Sequence, residues 1–234
     1  MSVVIEVAPA RVVPGRKQEL AVPSWFPRVS MGLARMLPVL PMLAMMYLIV
    51  AAGLGVGGAL VDLREAAPAL LGNAALFSLA ASFAVTPVGT VTGWRWHQIL
   101  RRDFGLWTFA FAALDLTLAA TVSPEGWRAG VAGQAFLAAG TAATLLLVPL
   151  AVTSNRWSMR RFGSDWKLLH KLVYVVLVLV ALHLVLLPSG PQELALFIVL
   201  IGPSLALRVP RVRRRVIQLR GGLLARLATP RSEA

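Results

Sequence analysis

Runs of about twenty predominantly apolar residues recur through this chain, and that is the length an α-helix needs to cross the hydrocarbon core of a bilayer. Six such spans are expected, at residues 36–61, 67–85, 104–122, 129–152, 168–187 and 193–207, the last being the shortest. Composition points to the same class, with 58% hydrophobic residues, 14% charged residues and a mean hydropathy of +0.74. The expected architecture is an all-α integral membrane protein. It has a flexible leader over residues 1–35, a six-helix transmembrane bundle over 36–208 and a basic tail over 209–234.

A formal net charge of +13 raises the question of nucleic acid, and the distribution of the charges answers it. Arg28 and Arg35 precede the first span; Arg95, Arg101 and Arg102 lie between the second and third; Arg156, Arg160, Arg161 and Lys167 lie between the fourth and fifth; and the tail runs from Arg208 to Arg231. All of these fall on one side, whereas the other side has only Arg64 and Arg128. This is the positive-inside pattern of an even-numbered bundle with both termini in the cytoplasm, and it accounts for the charge without nucleic acid. In the tail, Arg211, Arg213, Arg214, Arg215 and Arg220 stand among Val, Ile and Leu, which suits an interfacial helix against anionic membrane lipid.

The outer connections are short, which leaves little mass for a soluble catalytic domain, and no Rossmann glycine pattern appears. Any reductant therefore comes from a partner or from the lipid phase. The absence of cysteine excludes disulfides, cysteine-ligated iron-sulfur clusters and thiolate ligation of haem.

Against this apolar background two histidines stand out, His170 and His183. Ionisable groups in a membrane helix are costly and usually functional, and imidazole is the commonest protein ligand for a metal, haem iron included. Thirteen residues at ~1.5 Å each separate the two rings by about 20 Å along the helix, one toward each face of the membrane. They also differ by about 140° in azimuth, so two clefts or a local distortion are needed to use both. Asp115 interrupts the third span and is the other anomaly, since a carboxylate at mid-span costs about 2.5–3.5 kcal/mol on insertion scales. Three functions are open to it: an oxygen ligand to iron, a partner that orients His183, and a proton relay. A structural acid bonded to a backbone carbonyl or to Thr117 is the plain alternative.

The third and fifth spans run in the same direction, so Arg101 is expected at the depth of His170 and Asp115 at that of His183. Arg101 and Arg102 are explained by topology alone, and they also suit the propionates of an inner haem or the phosphate of a flavin. His97 is a weaker ligand candidate in the preceding loop.

The stretch Leu100-Arg-Arg-Asp-Phe-Gly-Leu-Trp107-Thr-Phe-Ala-Phe-Ala-Ala-Leu-Asp115-Leu resembles the MsrQ (YedZ) family of the ferric-reductase-like transmembrane superfamily. So do Pro149-Leu-Ala-Val-Thr-Ser154 and the segment from Arg160 through Trp166, His170 and Tyr174 to His183. The resemblance runs over residues 36–220. It implies a six-helix inner-membrane subunit that binds b-type haem and FMN. That subunit takes electrons from the quinone pool or a cytoplasmic flavin reductase to a periplasmic molybdenum-containing methionine sulfoxide reductase, and is not itself the catalytic subunit.

His170 and His183 match the family's two fifth-span histidines, and the resemblance makes them the axial ligands, His183 first. The family has histidine where this chain has Asp115. An aspartate ligand, a five-coordinate iron and loss of the outer haem are the three readings of that departure. Two rivals stand beside electron transfer to this or another acceptor. One is a non-redox scaffold that has lost haem; the other, an intramembrane protease, rests only on Ser204.

Overall fold

The computed structural model describes residues 24–44, 46, 63–93, 96–187 and 190–228, and among them every regular element is helical. The elements are α1 Phe26–Met36, α2 Leu63–Thr92, α3 Leu100–Val122, α4 Pro124–Gly133 and α5 Ala135–Val152. They continue with α6 Arg156–Phe162, α7 Ser164–Leu169, α8 Leu172–Leu186, α9 Gly190–Ala206 and α10 Pro210–Ala228, and a 3-10 turn at Trp96–Ile99 leads into α3. Four stretches are long and apolar enough to cross a membrane: Leu70–Thr92, Leu100–Thr121, Ala135–Val152 and Ser164–Leu186. Leu194–Ala206 and Pro210–Gly222 qualify only as a pair, bent by 80° at their junction. The protein is thus a multi-pass helical membrane protein with four spans, or five with the bent pair, among the described residues. The expected span at 36–61 lies mostly outside them.

The neighbours close into a ring: α2 lies against α3, α3 against α5, α5 against α8, α8 against α9, and α9 against α2. Lipid is as apolar as leucine, so close side-chain contact and interhelical hydrogen bonds hold such helices together. Leu76, Leu79 and Phe83 of α2 meet Leu177 and Leu184 of α8 and Phe197 and Ile201 of α9. On α3, Phe111 is fully buried against Leu71 and Ala74 and stacks on Trp107 at 5.4 Å. The α2–α3 contact also carries a polar bond, Ser82 Oγ donating to the Arg101 carbonyl at 2.9 Å. Large apolar side chains such as Val178 and Val199 are each 68% exposed, which is the surface a lipid-facing helix presents.

Three boundaries differ from the sequence expectation. The fourth span does not run unbroken from 129: Gln134 is extended (φ −121°, ψ 109°) and separates α4 from α5. Gly130 and Gly133 weaken the helix just before that break, and α4 consequently lies against both α5 and α3. The segment 86–103, read as a loop, is mostly helix, because α2 continues to Thr92 and α3 begins at Leu100. The segment 153–167 likewise contains α6 and the start of α7. Asn155 caps α6 by accepting from the Ser158 amide at 2.8 Å, and Gly163 ends it at φ 53°, ψ −115°.

That backbone conformation is one only glycine adopts without strain. Gly163→Ala is therefore expected to destabilise the fold by about 1–3 kcal/mol, seen as a lower apparent Tm in detergent. An unchanged Tm would mean that this turn contributes nothing to the folded state.

Candidate functional site

One end of the ring encloses a cavity of about 580 Å³, within the range of cofactor and small-molecule sites. Leu76 and Leu79 of α2, Ala112 of α3, Leu147 of α5 and Val176 of α8 make its walls apolar. Asp115, Trp127 and His183 bring polar groups to the same space. Trp127 reaches it because the break at Gln134 turns α4 back toward the bundle. Asp115 lies within electrostatic reach of His183, so the third and fifth expected spans meet at the depth that the residue counting gave.

His183 is held in a definite orientation. Its Nδ1 lies 2.7 Å from the carbonyl of Phe136 on α5. A carbonyl only accepts, so Nδ1 carries a proton and donates, and in the neutral imidazole Nε2 is then the nitrogen with the lone pair. The approach depends on Gly140, one turn along α5: a Cβ there would stand 2.9 Å from His183 Nδ1 and 3.2 Å from Cε1. Glycine is the residue that lets this imidazole seat against the α5 backbone. The Phe136 ring flanks it, with centroids 5.9 Å apart.

His170 belongs to a different place. It closes α7 where the chain tightens before α8, with Lys171 N donating to Leu168 O at 3.0 Å. The helix is therefore interrupted between the two histidines. The His170 ring lies 3.9 Å from that of Trp166, whose Nε1 donates to Thr153 O at 2.8 Å and ties the turn to the end of α5. Its Nδ1 faces Trp166 O at 3.1 Å, and its Nε2 is 3.4 Å from Ser154 Oγ. Ser154 already donates its proton to Leu150 O at 2.6 Å, so that long contact does not occupy the Nε2 lone pair. His170 does not line the cavity.

Arg101 starts α3 within electrostatic reach of His170, Tyr174 and Arg208. Arg102 is exposed beside it, and His97 falls in the 3-10 turn. Ser204, the protease candidate, is buried inside α9 and does not line the cavity. Residue types alone missed four positions: Gly140, Trp127, Tyr174 and Arg208. Tyr174 carried a signal, being one helical turn beyond His170, and Arg208 another, as the first cation after an apolar run.

The ring belongs to a ferric-reductase-like membrane domain: residues 71–181 match the family described as ferric reductase like transmembrane component. A relative, the protein-methionine-sulfoxide reductase heme-binding subunit MsrQ of Rhizobium meliloti (strain 1021), is 38% identical over 157 residues, covering 64% of this chain and 71% of the relative. The chain belongs to the MsrQ family. No solved structure matches it.

Proposed function

We propose that this protein binds b-type haem in the cavity between α3, α5 and α8. In this reading it carries electrons across the bacterial inner membrane to a periplasmic molybdenum-containing methionine sulfoxide reductase. The donor is the quinone pool or a cytoplasmic flavin reductase. Both termini lie in the cytoplasm, with the membrane domain over 36–208 between a leader and a basic tail.

The observation that carries the reading is His183. Its Nδ1–H is committed to Phe136 O at 2.7 Å, and its Nε2 is left as a lone-pair donor on a ring lining an apolar cavity. Metal-ligating histidines are oriented in this way, because the bond at one nitrogen fixes the tautomer and raises the basicity of the other. Two further features fit haem. Gly140 opens the space that the ring needs. Trp127 Nε1 is a buried donor on the cavity wall without an acceptor among the described residues, which suits a propionate oxygen.

Haem, when bound, supplies one-electron chemistry at iron, with a potential set by its ligands and its burial. The chain's own residues do the rest. His183 binds the iron, Leu76, Leu147 and Val176 exclude water, and Asp115 faces the side that the family fills with histidine. On the arginine-rich side His170 is the second candidate ligand, and Arg101 and Arg102 provide charge for propionates or for the phosphate of FMN.

The test is a reduced-minus-oxidised visible spectrum with haem quantitation on the purified protein. A b-type signal is expected; a well-folded sample without haem would leave the scaffold reading, which Asp115 favours. Asp115→His is expected to convert the bound iron to a six-coordinate low-spin form, read in the same spectrum. Asp115→Asn distinguishes the roles further: an unchanged spectrum and unchanged electron transfer would make Asp115 a structural acid.

A further inference from the structure

We infer that Arg208, backed by Arg101, holds a phosphate oxyanion on the arginine-rich side of the bundle, at the bend between α9 and α10. The Arg208 guanidinium lies over the Phe83 ring at 4.5 Å and beside that of Tyr174 at 5.5 Å, and its Nη1 donates to Tyr174 Oη at 2.6 Å. Those contacts fix its plane. Its Nε and Nη2 are buried and have no acceptor among the described residues. These two nitrogens form the edge of the guanidinium whose parallel N–H bonds engage two oxygens of one phosphate or carboxylate.

Charge selects the partner further. Arg101 adds a second positive charge within electrostatic reach of Arg208. The one ion pair among the described residues, Arg35 with Asp103, involves neither. A buried cationic fork without acceptors is costly, and water would satisfy its hydrogen bonds while leaving both charges uncompensated.

Location favours phosphate. α10 departs at 80° from α9 with Arg211, Arg213, Arg214 and Arg215 exposed, and Arg220 Nη1 anchors it to α2 by donating to Thr90 O at 3.0 Å. A basic amphipathic helix turned so sharply from a span lies along the membrane interface. The bend that leads into it, with Arg208, then stands at the level of lipid headgroups. A headgroup phosphate and a soluble phosphate offer the same oxygens there.

The test is thermal unfolding of the full chain in neutral detergent, titrated separately with phosphatidylglycerol and with inorganic phosphate, against sodium chloride at matched ionic strength. A ligand that binds only the folded state raises Tm with concentration. Wild type is expected to show this shift, and Arg208→Gln is expected to raise the concentration for half of it by about tenfold or more. Arg214→Gln, which removes an exposed tail charge, should behave as wild type. Arg208→Lys keeps the cation but not the fork, and should also fall short of wild type. It serves as the decisive variant if the glutamine form does not fold.

A shift with phosphatidylglycerol alone identifies a lipid headgroup as the ligand; a shift with inorganic phosphate as well identifies a soluble one. The inference is overturned if neither probe moves the wild-type Tm, or if Arg208→Lys and Arg208→Gln both titrate like wild type. It is equally overturned if Arg214→Gln loses as much as Arg208→Gln. Haem content measured on the same samples separates this site from the haem reading. Haem lost from Arg208→Gln with the phosphate response intact would reassign the fork to a cofactor carboxylate.

Discussion

His183→Ala is expected to lose haem affinity by more than about a hundredfold, since removing an outer-shell partner of a metal ligand alone costs about 10–100-fold. Haem quantitation and the reduced-minus-oxidised spectrum read the loss directly. The fold should survive it. The Phe136 carbonyl released by the substitution lies inside α5, where a helical N–H four residues on still serves it. The space left by the ring joins a cavity that already exists. Circular dichroism should therefore remain helical while the haem band disappears. Haem content equal to wild type in a folded His183→Ala protein would remove His183 as ligand and, with it, the main support for electron transfer through this cavity.

Gly140→Ala should reproduce much of that loss without touching the ligand. The new Cβ would stand 2.9 Å from His183 Nδ1, closer than real Cβ contacts allow, so the imidazole must leave the Phe136 carbonyl. Tautomer and orientation are lost together. Haem affinity is expected to fall by about 10–100-fold, the usual effect of losing the group that orients a histidine ligand. Alanine is at the same time favoured over glycine in a helix interior by about 1 kcal/mol, which offsets part of the crowding in the protein without haem. Weakened haem binding with little change in apo stability is thus the distinguishing signature. Unchanged haem affinity would mean that the seat against α5 has no part in binding.

Much of this arrangement was legible along one dimension. Helix rise converts residue number into depth, so counting from Arg101 to Asp115 and from His170 to His183 was enough to pair them level by level. The structure does bring Asp115 and His183 to one cavity and Arg101 within reach of His170. Counting does not reveal what a side chain faces. Gly140 looked like one more small residue in Ala138-Ala139-Gly140-Thr141, and its use emerges only where α5 meets α8. Trp127 belonged to an expected connection until the extended Gln134 folded α4 against the bundle. Arg208 read as the first of many tail charges, yet Phe83 and Tyr174, more than thirty residues away along the chain, set it apart from its neighbours.

The sequence by itself determined the membrane class, the end of the spans at which arginines gather and the level of each ionisable group along its own helix. Those properties follow from the apolar length of each run and from the rise of a helix, both local to a segment. Only the tertiary structure decided which nitrogen of His183 faces a carbonyl, that His170 lies on a tightened turn outside the cavity, and that two donors of Arg208 have no acceptor among the described residues. Each of those depends on the azimuth at which one helix meets another. That azimuth is set by side-chain contact among α2, α3, α5, α8 and α9, and helices apolar on every face carry no stripe from which it can be read.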